Sequence, residues 1–161
     1  MTAVADLAIP CDVEMASVSL TLPAVLPSAR HARTFTAESL RLWGESAETT
    51  EAAVLIVCEL ATNAICHGAR PPAACGSGRG PDSVITLRLV LEADVLHIEV
   101  HDASAVLPVQ RAADRDEDCG RGMVIIAALA ESWTCGVDPG GGKWVRATLA
   151  RHGRGGLGSV A

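Results

Sequence analysis

The run from Val84 to Asp102, "VITLRLVLE" followed by "VLHIEVHD", constrains the chain more than any other stretch. Apolar residues fall on alternate positions, with Ile85, Leu87 and Leu89 on one face of the first segment and Leu96, Ile98 and Val100 on one face of the second. That period of two is the signature of half-buried strands. Only Glu92-Ala93-Asp94 separates them, too little chain for a parallel crossover, so the two strands form an antiparallel hairpin. A sheet with one apolar face needs something laid across that face.

The flanking sequence supplies the cover. "ASVSLTLP" alternates Val18, Leu20 and Leu22 with small polar residues and ends at Pro23, a short strand. From Pro27 to Trp43, Ala32, Phe35, Leu40 and Trp43 recur at roughly helical spacing, with Ser28 as the expected N-cap. "GES" interrupts, and a second helix is expected from Ala47 to His67, with Ala53, Ile56, Leu60 and Ala64 as its buried stripe and Gly68 closing it. A Pro- and Gly-rich loop, "ARPPAACGSGRGPDS", precedes the hairpin. After it come an irregular polar segment to Cys119, a helix in "GRGMVIIAALAESW", and a last hairpin, "TCGVD-PGGG-KWVRATLA". The order mixes helices and strands without a βαβ rhythm. The expected fold is therefore α+β, a two-layer sandwich with a mixed, mainly antiparallel sheet and helices on one face. Residues 1–15 read as a flexible arm, 16–150 as one domain, and 151–161 as a disordered Gly-rich tail.

Composition narrows the function. With 161 residues the chain suffices for one domain with a core. Apolar residues make up 49%, yet there are one Phe, three Trp and no Tyr, so the core must be built from Ala, Val, Leu and Ile. A formal net charge of −6 argues against nucleic acid as a partner, because phosphate contacts need a basic surface. No uninterrupted apolar run approaches a membrane span, and the N-terminus, with Asp6, Asp12 and Glu14, lacks the basic start of a signal peptide; no membrane and a cytoplasmic location are expected. The six cysteines contain no C-x-x-C pair, so reduced thiols are expected, with Cys58 and Cys66 packed as small hydrophobes on the second helix.

Four segments carry residues that suit chemistry, and each has a plainer reading. In "CELATNAICHG", Glu59 and Asn63 lie four apart and share a helix face. Glu59 can take a proton from a hydroxyl and the Asn63 amide oxygen can ligate Mg²⁺; the alternative is a solvated helix face. His67 suits the C-terminal end of the same helix electrostatically. In "EVHDAS", Asp102 at a strand end can accept from an exocyclic amine, or it can bind its own backbone in a turn. In "CGRGMV", Gly120 and Gly122 allow close backbone approach and Arg121 adds charge ahead of a helix N-terminus; the alternative is an ordinary helix entry. A dinucleotide fingerprint is excluded, since no strand directly precedes these glycines and no third glycine follows in phase. In "PGGGKWVRATL", Gly142-Lys143 can approach a nucleotide or simply form a tight hairpin.

In this order and spacing the four segments resemble the GHKL ATP-binding fold shared by gyrase B and sensor histidine kinases, and more narrowly its small anti-sigma-factor serine kinase branch. The resemblance spans about residues 30 to 150: "ELATNAICHG" corresponds to the N-box, "VHDAS" to the G1 box, "CGRGMVIIAALAESW" to the G2 box and its helix, and "GGKWVRATL" to the closing strand. It implies a fold that binds ATP with Mg²⁺. Glu59 would be the general base and Asn63 the Mg²⁺ ligand. Asp102 would read the adenine amine, and Gly120 to Gly122 would border the phosphates. The remaining nucleotide contacts implied are His67, Ser104, Arg121, Met123 and Lys143, and Ala103 to Cys119 would form a mobile lid. The chain departs from the pattern in a longer loop over Ala69 to Ser83, in D-A-S where the G1 box has D-x-G, and in a single G-x-G in the G2 box. The activity implied is a regulatory serine/threonine protein kinase that phosphorylates an anti-anti-sigma (STAS-type) partner and otherwise sequesters a sigma factor. The branch commonly forms homodimers. The alternative is a module of the same fold that holds nucleotide or a protein partner without turnover.

Overall fold

A computed structural model describes residues 15–67, 83–104, 107 and 121–152. The elements run β1 (Ala16–Pro23), α1 (Pro27–Leu42), α2 (Ala47–His67), β2 (Val84–Leu91), β3 (Val95–Asp102), α3 (Arg121–Leu129), β4 (Ser132–Val137) and β5 (Lys143–Ala150). The sheet has five strands in the order β1-β2-β3-β5-β4. All four pairings are antiparallel, so the expected mixed sheet is wholly antiparallel among the described residues.

Register explains why the helices sit on one side. Leu20 lies opposite Leu87, Leu87 opposite Val100, and Val100 opposite Val145, so the apolar positions of four strands fall in line on one face. These residues join Ala53, Ile56, Val57, Leu60, Ala61 and Ala64 of α2, Ala32 and Leu40 of α1, and Met123 and Ile126 of α3 in a single core. No aromatic ring belongs to the fully buried set; Phe35, Trp43 and Trp133 pack against its rim, as the composition requires. By length and composition α2 is apolar enough to cross a membrane, but it packs against α1, α3, β2, β3 and β5, and its hydropathy belongs to the core.

Helix boundaries follow local chemistry. The Leu26 backbone caps α1 without a side-chain bond and Pro27 opens it, so Ser28, expected as the cap, lies inside the helix and is buried. Its C-terminus closes by a Schellman pair: Gly44 at φ +73° donates to Arg41 O and Glu45 donates to Leu40 O. Ser46 caps α2, its hydroxyl accepting from Thr49 N–H at 3.1 Å. The third helix ends at Leu129, earlier than its apolar run suggests, because the Glu131 N–H is captured by Thr148 O at 2.8 Å and the next residue already pairs in the sheet. Cys58 is half-buried and Cys66 is exposed rather than packed.

Arg151, assigned from sequence to the tail, is instead tied into the domain. Its guanidinium binds the Glu45 carboxylate and the carbonyls of Glu92 and Ala93, linking the chain after β5 to the α1–α2 and β2–β3 connections. On the face away from the helices, Glu99 is buried between His101 and Arg146, and His101 also meets Asp138 at 2.9 Å. Burial alone would raise the Glu99 carboxyl, but the bonds from His101 and Arg146 hold it below its usual value. Burial likewise pulls His101 down, and the two carboxylates flanking it outweigh that and raise it.

Candidate functional site

Helix α2 answers the question raised by its polar residues. Glu59 and Asn63 are half-buried and face the first turn of α3. A Cβ built on Gly122 would come within 2.7 Å of Glu59 Oε2, 3.4 Å of Asn63 Nδ2 and 3.5 Å of Asn63 Oδ1. Glycine is thus what lets the α3 N-terminus close down on the pair. The Asn63 amide nitrogen faces the Met123 sulfur at 3.7 Å. Among the described residues no hydrogen bond or ion pair engages the Glu59 carboxylate, and the Asn63 Oδ1 oxygen is likewise unengaged. The first turn of any helix carries N–H groups without intrahelical partners and a positive dipole end. An acid, an amide oxygen and a helix N-terminus are therefore gathered at one point. This is the donor set Mg²⁺ takes when it is held mainly by phosphates and one or two protein oxygens, so the residues present fit that ion.

A second cluster lies at the end of the sheet. Asp102 follows Leu96, Ile98 and Val100 on the helix-facing side of β3, and Lys143 opposes it at the start of β5. The Lys143 ammonium reaches Asp102 Oδ2 at 2.9 Å and Oδ1 at 3.1 Å, with side chains 6% and 2% exposed. Asp102 Oδ1 also accepts the Ser104 N–H at 2.8 Å, the turn contact that sequence offered as the plainer role of this aspartate. Gly142, at φ +90°, runs so close to the Asp102 carbonyl that any side chain would collide with backbone.

The structure thus brings Glu59, Asn63, Gly122 and Met123 together, and separately Asp102, Ser104 and Lys143. Helix α2 packs on β3, the strand that carries Asp102. His67 is exposed at the end of α2 and bonds to neither group. Arg121 is the first residue of α3. Gly120, most of the expected lid and the loop before β2 lie outside the described residues. Sequence reading did not foresee that Lys143 is bonded to Asp102; the register that opposes them exists only once β5 inserts between β3 and β4.

An antiparallel sheet with one helical layer thus carries a Glu–Asn pair on its second helix, an aspartate at a strand end and Gly122 in the first turn of its third helix. The sequence matches the histidine kinase-like ATPase domain over residues 22–149, and the chain belongs to that family. Among solved structures it is similar to the crystal structure of the RsbU and RsbW domains of Rv1364c from Mycobacterium tuberculosis. The TM-score is 0.55 at 20% identity, covering 86% of this chain and 34% of that one. The chain therefore spans about a third of that structure's length, and the likeness establishes a shared fold. Comparison with curated proteins finds no match.

Proposed function

We propose that the chain is an ATP- and Mg²⁺-dependent serine/threonine protein kinase of the anti-sigma-factor type, acting in the cytoplasm on an anti-anti-sigma (STAS-type) protein and sequestering a sigma factor. The observation that carries this reading is the Glu59 carboxylate, unengaged among the described residues, one helical turn from the Asn63 amide, both held beneath the α3 N-terminus. A module that only binds nucleotide or protein has no need of a free acid there. Phosphoryl transfer needs positioning and charge neutralisation more than covalent chemistry. Asn63 would hold Mg²⁺, which neutralises the phosphates when bound. Glu59 would accept the proton of the attacking hydroxyl, and the first-turn amides of α3 would face the phosphate oxygens. A structure containing an RsbW domain shares the fold, which supports the choice of branch.

Calorimetric titration with Mg-ATP, followed by phosphotransfer to candidate anti-anti-sigma proteins, tests the proposal. Glu59→Ala is expected to lower transfer by about 10²-fold or more while leaving ATP affinity nearly unchanged. Transfer at the parental rate would remove Glu59 as the base. Asn63→Ala is expected to weaken Mg²⁺-dependent binding, whereas equal affinity with and without the substitution would count against the metal role. The alternative of a non-catalytic module predicts ATP binding with no transfer by the parental chain.

A further inference from the structure

The Asn63 amide makes a choice that its position on α2 does not dictate. An acid and an amide four residues apart on a helix are within reach of each other, and an amide N–H bonds a carboxylate more strongly than a neutral acceptor. The end groups of Glu59 and Asn63 stand against the same point above Gly122. Yet among the described residues the Asn63 nitrogen donates to the Met123 sulfur, at 3.7 Å, and no hydrogen bond joins it to Glu59. A thioether accepts and cannot donate, so it faces the nitrogen end of the amide and turns the oxygen end away. Met123 is 7% exposed and belongs to the core, and its helix packs on α2, so its surroundings fix the sulfur in place. A branched aliphatic side chain would fill nearly the same space without the acceptor.

We propose that Met123 is a positioning residue: its sulfur holds the Asn63 amide so that Oδ1 stays free for Mg²⁺ and the N–H groups stay off the Glu59 carboxylate. This rests on the nucleotide-site reading above, and it assigns to Met123 a contact with the side chain that would hold the metal rather than with the nucleotide. Without the sulfur the amide is free to turn to the acid, which ties up the Glu59 oxygens and swings Oδ1 out of its place. Binding of the ion then has to break that bond first, which lowers the fraction of chain ready to receive it.

The test uses the full chain with Met123→Leu, which nearly conserves volume. In the nucleotide-free chain the Asn63 side-chain amide proton resonances are expected to move downfield in the variant, as a carboxylate replaces sulfur as their acceptor. Calorimetry should show the gain in ATP affinity on adding Mg²⁺ shrink about three- to tenfold, with ATP alone bound as by the parent. Equal loss with and without Mg²⁺ marks packing alone and overturns the proposal. On a Glu59→Ala background the same substitution should cost less, and an equal cost removes the competition with the acid. Should Met123→Leu not fold, chain prepared with norleucine at its three methionines, which keeps the shape and loses the sulfur, takes its place. A parent that shows no Mg²⁺ effect brings down the metal role of Asn63 and the positioning together. Resonances that stay put, or an undiminished Mg²⁺ effect in the variant, bring down the positioning alone.

Discussion

Gly122 shows how a single missing side chain shapes this molecule. Its Cα stands where any Cβ would press on the end of Glu59, a flexible group, and graze Asn63. Gly122→Ala is therefore expected to leave stability within about 1 kcal/mol of the parent, since alanine favours the helix while the carboxylate swings aside. Phosphotransfer should drop much more than ATP affinity. Thermal unfolding beside a transfer assay checks both, and full activity with Glu59 displaced would show that its position is unimportant. The pairing of Glu59 and Asn63 on one face was legible in the sequence, because four residues is one helical turn. That they look onto another helix's N-terminus was not legible; only the packing of α3 decides it.

At the level of elements, the helix-free face of β3 and β5 carries a titrating network, Glu99–His101–Arg146 with Asp138. Glu99 is lowered from 4.5, so its contribution is present above that pH and is lost as pH falls through the depressed value. His101 is raised from 6.5, so its contribution is complete below that pH and is lost as pH rises through the elevated value. Both contributions are whole between about 4.5 and 6.5, and the network should stabilise the sheet most in that window. Urea midpoints across pH 4 to 9 are expected to decline on either side, and Glu99→Gln with His101→Gln should flatten that dependence. An unchanged profile in the double variant would place the titration elsewhere. Strands β1, β2 and β3 were visible as alternating runs, and β5 only as the second arm of a hairpin. The early end of α3 was not, because "AESW" carries a helical pattern that sheet pairing at Glu131 and Ser132 overrides.

For the whole molecule, Arg151 acts as a clasp between distant parts of the chain. Its partner Glu45 has a side chain only 3% exposed, so removing the guanidinium strands a buried carboxylate. Arg151→Ala is expected to cost about 3 kcal/mol. Chemical denaturation measures this, and a loss below about 0.5 kcal/mol would mean that Glu45 finds water or another donor. Glu45→Gln with Arg151→Met, which removes both charges, should recover much of the deficit. What the sequence determined by itself was strand alternation and the two long helices, which depend on neighbours within a turn or a hairpin, an aliphatic core, which composition sets, and the linear order of the family's motifs. Tertiary structure alone decided the insertion of β5 between β3 and β4, the descent of α3 onto Glu59 and Asn63, and the pairings Asp102–Lys143 and Glu45–Arg151. Those contacts join residues about forty to a hundred positions apart, and no local pattern encodes a register that exists only after the sheet has closed.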